Sequence, residues 1–128
     1  MFESEYKKKL TTPEGAVSAI GENDMVVHGL GLAEPPALLR AIAARLRAGD
    51  LKRIRVFSSL PLRHVCENLL AVDLMDCVEA YSQFVSTGER GLVGAGLAYF
   101  VPNHLHQVPR LLTEFIGVDV SITQVSPM

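Results

Sequence analysis

Met25-Val26-Val27-His28-Gly29-Leu30-Gly31-Leu32-Ala33-Glu34-Pro35-Pro36-Ala37-Leu38-Leu39 decides the fold. An apolar run ends in two glycines one residue apart, and Glu-Pro-Pro then opens a long amphipathic segment. Strand, glycine turn and helix follow one another, which is half of a βαβ unit. Pro35 or Pro36 suits the first helical position, because its missing N–H has no partner to lose there and its fixed φ is already helical. The turn thus lies at the C-terminal end of a strand. Open α/β sheets bind ligands at that end, and a helix N-terminus offers free N–H groups to an anion.

Upstream, residues 1–9 form a charged segment expected to fray, and Thr12-Pro13-Glu14 starts a helix whose Ala16, Val17 and Ile20 share a face. Gly21-Glu22-Asn23-Asp24 turns the chain into the first strand, 25–30. Downstream, the helix from about Pro36 carries Leu39, Ile42, Ala43 and Leu46 inward, and Gly49-Asp50 stops it. Lys52-Arg53-Ile54-Arg55 leads into a short strand, Val56-Phe57. Ser58-Ser59 follows, and Pro61 opens a helix in which Leu62, Val65, Cys66, Leu69 and Leu70 share a face. Residues 72–79 read as loop and 80–85 as the third strand. Ser86-Thr87-Gly88-Glu89 then precedes a short helix weakened by Gly91, Gly94 and Gly96.

A fourth strand is read at 97–101, followed by the turn-rich Pro102-Asn103-His104-Leu105-His106. From Gln107, the residues Val108, Leu111, Leu112, Phe115 and Ile116 fit a helical face that Gly117 ends. Val118, Val120 and Ile122 then alternate with Asp119, Ser121 and Thr123 as a last strand. Five strands alternating with five helices predict a single α/β domain over residues 1–128, with a mostly parallel open sheet and helices on both faces.

Composition sets the bounds. The chain has 128 residues, 48% hydrophobic and 20% charged, which describes a globular protein with a real core. No apolar run reaches the roughly 18 residues of a transmembrane helix, so no membrane partner is expected and the cytoplasm is the default. Cys66 and Cys77 lack metal or redox spacing and are read as reduced thiols. The net charge of −2 gives no overall pull towards nucleic acid. The basic span Arg40, Arg45, Arg47, Lys52, Arg53, Arg55, Arg63 is read as a solvated helix face and loop ahead of a phosphate-binding surface.

Chemistry is not established by the residues alone. Gly29-x-Gly31 invites a dinucleotide-binding reading, yet the third glycine of that fingerprint falls at Glu34, whose carboxylate would repel a pyrophosphate. His28 lies within a strand and is read as a hydrogen-bonded core residue ahead of a catalytic base. Glu34 is a functional carboxylate or a cap of the helix it precedes. His104 and His106 have no third metal ligand at a supporting spacing, so no metal site is assigned. Ser58, Ser59, Ser86 and Thr87 bind an anion or cap helices.

Four stretches in order carry a family resemblance: 29–38; Phe84-Val85-Ser86 with Glu89-Arg90; 99–112; and Val118-Asp119-Val120 with Gln124-Val125-Ser126-Pro127-Met128. Through them the chain, from about Tyr6 onward, resembles the N-terminal part of the acetyl-CoA hydrolase/transferase family. That family includes acetate, butyrate, succinate and 4-hydroxybutyrate CoA-transferases. The resemblance covers about the first third of a member, and Ser-Pro-Met looks like the point where the family continues into Asp-x-His-Gly. The domain is therefore expected to be truncated relative to the family.

The resemblance implies an acyl-CoA:carboxylate CoA-transferase or acyl-CoA hydrolase, with a coenzyme A thioester as substrate, no covalently bound cofactor, and acyl-CoA and a short carboxylate as partners. In the family, a glutamate in the C-terminal half attacks the acyl-CoA. An acyl-glutamyl anhydride forms, and CoA returns on the glutamate as a thioester. That nucleophile is expected outside this chain, so no catalytic residue is assigned here and the C-terminal domain becomes a partner. Gly29, Gly31, Glu34, Ser58, Ser59, Ser86, Thr87 and Asn103, all at the ends of predicted strands, are expected to shape one wall of the acyl or carboxylate pocket. A homo-oligomer is expected to cover the interdomain surface. Two other readings stay open: a stand-alone anion- or nucleotide-binding module, and a structural interaction domain.

Overall fold

A computed structural model describes residues 2–126. The charged start is helix α1 (Phe2–Lys9) rather than a frayed arm, because Glu3–Lys7 (2.8 Å) and Glu5–Lys9 (3.0 Å) link successive turns. Helix α2 (Pro13–Val17) begins at Thr12, whose hydroxyl accepts the Gly15 N–H (3.1 Å). Val17 and Ile20 are buried, while Ala16 faces solvent. Strand β1 (Met25–His28), a tight 3₁₀ turn (Gly31–Ala33) and helix α3 (Pro36–Ala48) follow in the predicted order. Leu39, Ile42, Ala43 and Leu46 are all buried, each leucine or isoleucine side chain worth about 1.5–3 kcal/mol. Gly49, at φ 75°, turns its N–H back onto the carbonyls of Arg45 and Leu46.

Strand β2 (Ile54–Ser59) is longer than predicted. Ile54 is buried and Arg55 belongs to the strand, so Ser58 and Ser59 are its last residues instead of following it. The apolar spacing over 62–70 is only partly helical. Helix α4 (Arg63–Glu67) ends where Asn68 leaves helical geometry and donates its amide to the His64 carbonyl (2.7 Å). Leu62 remains an exposed cap, whereas Leu69 and Leu70 reach the core from beyond the helix. Residues 72–79 are not loop throughout: a 3₁₀ turn (Val72–Leu74) buries Leu74, and strand β3 (Val78–Phe84) already starts at Val78, paired with Ile54. The charge of Asp73 is carried outward onto Arg47 (2.7 Å).

Helix α5 (Arg90–Gly94) and strand β4 (Ala98–Phe100) are short, and a 3₁₀ turn (Leu105–Gln107) leads into α6 (Val108–Arg110). The α6 backbone widens into a π-helix (Leu111–Ile116), closed by the Gly117 N–H on the Leu112 carbonyl (3.0 Å). The predicted face persists in part: Val108, Leu111, Leu112 and Ile116 are half-buried at helical spacing, and the widening turns Phe115 out of it. None of Val108, Leu111, Leu112, Phe115 and Ile116 is fully buried, and Phe115 is 67% exposed. Strand β5 (Val120–Ile122) is the fifth strand of the sheet. Of the Gln124–Met128 motif, Pro127 and Met128 lie outside the described residues.

All strand pairs are parallel, in the order β4-β3-β2-β1-β5. Register aligns Val26 with Val56 and Val120, Val56 with Ala80, and Ala80 with Ala98, so one sheet face presents a continuous apolar row to α3 and α4. The first three crossovers step in one direction and the fourth returns across the whole sheet. Right-handed connection puts α3, α4 and α5 on one face and α6 on the other. Met25 and Phe57 are buried on that second face by strand alternation. Arg45 ties α2 to α3 through the carbonyls of Val17 (2.6 Å) and Ile20 (2.9 Å). Among the described residues no helix is long and apolar enough to cross a membrane.

Candidate functional site

Parallel pairing gathers the C-terminal ends of β1 to β4 along one rim. The turn after β1 is tight because Gly29 lets Ala33 fold back: a Cβ on Gly29 would lie 2.3 Å from the Ala33 carbonyl oxygen. Gly31 has φ +57°, the left-handed region that glycine adopts at no steric cost. This turn pushes Leu30 and Leu32 into solvent and directs Glu34 inward, 3% exposed. Glu34 does not cap α3, the helix it precedes. Its Oε1 accepts the Leu62 N–H (2.5 Å) and its Oε2 the Val65 N–H (3.3 Å), so it caps α4 and ties the β1 turn to the β2 turn.

A second tie lies beneath. The buried His28 ring contacts the Gly29 carbonyl through Nδ1 (2.9 Å) and the Ser58 hydroxyl through Nε2 (3.0 Å). A carbonyl only accepts, so Nδ1 carries the proton and the Ser58 O–H donates to Nε2. Burial lowers the His28 pKa, against the opposing pull of the Gly29 carbonyl and the Glu34 charge, and keeps the ring neutral. Ser58 therefore faces the protein interior.

The third tie is Glu89, which sequence reasoning did not assign to the site. It is 1% exposed, and its Oε2 accepts the Ser82 hydroxyl (2.9 Å) and the Ser86 N–H (3.1 Å), shaping the turn after β3. Burial raises the carboxyl's pKa, against both of those hydrogen bonds. The Ser-x-x-Glu spacing of Ser86 and Glu89 is the signal that would have found it. Cys66 sits nearby, close enough to Gly88 that a Cβ there would meet its sulfur at 2.5 Å. Its thiol is pushed up to about 11, by burial first and then by the charges of Glu89, Glu34 and Glu67. Both cysteines are free.

Two hollows open on the rim. One, of about 200 Å³, brings together Ser59 and Asn103 with Leu30, Leu60, Gln83, Phe84 and Leu105. The other, of about 480 Å³, brings together Ser86 and Thr87 with Leu60, Phe84, Arg63 and Arg90. Leu60 and Phe84 wall both. The Gln83 Oε1 and the Ser86 Oγ are buried without a hydrogen-bond partner among the described residues. Of the predicted residues, Ser59, Asn103, Ser86 and Thr87 thus line hollows, whereas Gly29, Gly31, Glu34 and Ser58 build the turns behind them. Leu60, Gln83, Phe84, Arg63 and Arg90 are additions from the structure; Phe84 and Arg90 lie in a stretch that carries the family resemblance but were not assigned to the site.

The basic span is dispersed. Arg47 pairs with Asp73, Arg53 with Glu79, Arg55 with Asp119, and Arg45 with Asp50. The rings of His104 and His106 stack at 5.6 Å.

Known proteins are similar to this chain in sequence and in fold. The chain is 39% identical to RipA from Yersinia pestis, with a TM-score of 0.92 over 98% of this chain and 31% of that one. It is 33% identical to the succinyl-CoA:cyclohexane-1-carboxylate CoA transferase of Geobacter metallireducens and 27% identical to the butyryl-CoA:acetate CoA-transferase of Anaerostipes caccae, over 99% of this chain. The chain spans 28% of the length of each of these two relatives. The sequence model of the acetyl-CoA hydrolase/transferase N-terminal domain matches residues 1–128, and the chain belongs to that family.

Proposed function

We propose that this chain is the N-terminal domain of an acyl-CoA:carboxylate CoA-transferase or acetyl-CoA hydrolase. In this reading the smaller hollow is one wall of the pocket for the acyl group or short carboxylate. Leu30, Leu60, Phe84 and Leu105 give that wall an apolar surface, and Ser59, Gln83 and Asn103 give it neutral hydrogen-bonding groups. The turn built by Gly29, Gly31 and Glu34 sets its position.

One observation carries the assignment of a wall without a nucleophile. Both buried carboxylates of the rim are committed to protein donors, Glu34 to two N–H groups and Glu89 to an N–H and a hydroxyl. A carboxylate held in this way is not free to attack a thioester. The nucleophilic glutamate, and with it CoA transfer, belongs to a further domain. That domain, or a second copy of this chain, covers the exposed Leu30, Leu32, Phe84 and Leu105.

The test is thioester exchange between acetyl-CoA and short carboxylates by the 128-residue chain, alone and joined to the C-terminal domain of a CoA-transferase. The expected result is no turnover alone and turnover on joining. Exchange by the isolated chain, abolished in a Glu34→Gln or Glu89→Gln variant, would overturn the reading.

A further inference from the structure

No side chain of helix α1 is buried, yet the helix is not polar all round. Phe2, Tyr6 and Leu10 follow one another at four-residue spacing on one face, 75%, 59% and 63% exposed. Isolated helices shorter than about 12–15 residues are marginal in water, so an eight-residue helix with an uncovered aromatic stripe lacks the packing that sustains a helix. Elsewhere on the same end of the chain an apolar groove of about 530 Å³ runs between α2 and α3, with Pro13 and Val17 on one wall and Ala37, Ala41, Ala44 and Ala48 on the other. No residue of α1 lines it. The dimensions match: Phe2 to Leu10 spans roughly 12 Å along a helix, and Ala37 to Ala48 roughly 16 Å. The link between the two is fixed in direction. The Thr12 hydroxyl accepts the Gly15 N–H (3.1 Å), and Thr11 packs so closely on Gly15 that a Cβ there would lie 2.5 Å from its hydroxyl oxygen. Seating α1 in its own groove would require these contacts to break, whereas a second copy of the chain requires no such change.

We propose that α1 is a docking arm for a second copy of this chain, its Phe2–Tyr6–Leu10 face seated in the partner's α2–α3 groove and the exchange reciprocal about a two-fold axis. Pro13 both anchors the arm and lines the groove, so two copies that face each other through α2 and α3 bring each arm to the other's groove over a short reach. The area is sufficient. Covering the three side chains buries roughly 300–400 Å² of each arm, given the usual areas of such side chains. The groove gives up a similar area, and two exchanged arms therefore bury on the order of 1,200–1,600 Å², the size of a specific protein interface. One arm by itself would bury about half of that, below the specific range.

The experiment is sedimentation velocity of the 128-residue chain over micromolar to submillimolar concentrations, with two variants. Phe2→Gln combined with Tyr6→Gln removes the arm's apolar face, and Ala44→Glu blocks the groove. All three positions are exposed, so the fold is retained, and circular dichroism verifies it. The unaltered chain is expected to form a dimer that dissociates on dilution, and each variant to weaken that dimer at least tenfold. An equal mixture of the two variants is expected to associate more strongly than either alone, because one intact arm then meets one intact groove. A monomer at every concentration would overturn the proposal. A dimer indifferent to both variants would also overturn it, placing the interface elsewhere, such as on the leucine-rich rim. A mixture no stronger than its components would show that arm and groove do not meet between copies, and would overturn it too.

Discussion

Replacing Gly29 by alanine tests whether the β1 turn is built by close approach or by backbone conformation. The added Cβ would lie 2.3 Å from the Ala33 carbonyl oxygen and 2.7 Å from its carbon, distances that a real Cβ does not tolerate. The obstacle is backbone, so the 3₁₀ turn must move. That movement pulls the Ala33 carbonyl away from the Gln124 N–H it accepts (2.8 Å), loosening the link to the segment after β5. Overpacking of this kind costs about 1–3 kcal/mol, and the lost hydrogen bond adds about 1 kcal/mol, for a total of about 2–4 kcal/mol. Gly31→Ala is the control. Its φ of +57° costs a side chain about 1–2 kcal/mol, and the nearest atom, Leu62 Cδ1, is 4.0 Å away, an ordinary contact. Urea unfolding should therefore lower the midpoint by about 1–2 M for Gly29→Ala and by about half of that for Gly31→Ala, with unchanged slopes. A Gly31→Ala loss equal to or larger than that of Gly29→Ala would refute the reasoning.

Glu34→Ala should cost about 2–3 kcal/mol by orphaning the Leu62 and Val65 N–H groups, and Glu34→Gln about half of that, since one oxygen still accepts. Hydrogen exchange should show protection lost first at those two amides, and unchanged protection there would contradict the cap. For His28 the folded pKa lies below the unfolded value of 6.5, so the unfolded state takes up the proton first and stability falls as pH drops below 6.5. A His28→Gln variant should flatten that slope in denaturation curves between pH 7 and 5, and an identical slope would show that another group carries it. Cys66, with its thiol at about 11, should react with iodoacetamide at pH 8 on the order of 100-fold more slowly than an unhindered thiol. Mass-resolved labelling at the rate of a free thiol would disprove the burial argument.

The sequence alone determined what depends on neighbours along the chain. The glycine turn before Pro35-Pro36, the buried stripe Leu39, Ile42, Ala43 and Leu46, and the stop at Gly49 stand where they were read, because periodicity and turn chemistry are local properties. The parallel five-stranded sheet follows from the alternation of such units. Local reading failed where tertiary contact outweighed it. At 62–70 helical spacing continued past the helix, since Leu69 and Leu70 reach the core by other backbone geometry. At 108–116 the apolar face is kept in part, with Val108, Leu111, Leu112 and Ile116 half-buried, while the widened turn leaves Phe115 exposed.

The site shows the same division. That its residues would lie at strand ends was legible at Gly29, Ser59, Ser86 and Asn103. Which of them face a hollow was not, because Ser58 and Ser59 differ only by strand parity: one turns inward to His28 and the other lines the rim. The roles of Glu34 and Glu89 were equally hidden. Glu34 meets Leu62 from 28 residues away, and Glu89 is fixed by Ser82 and Ser86 only once β3 and its turn are folded. A buried carboxylate takes its character from the donors that surround it, and only the folded chain decides which donors those are.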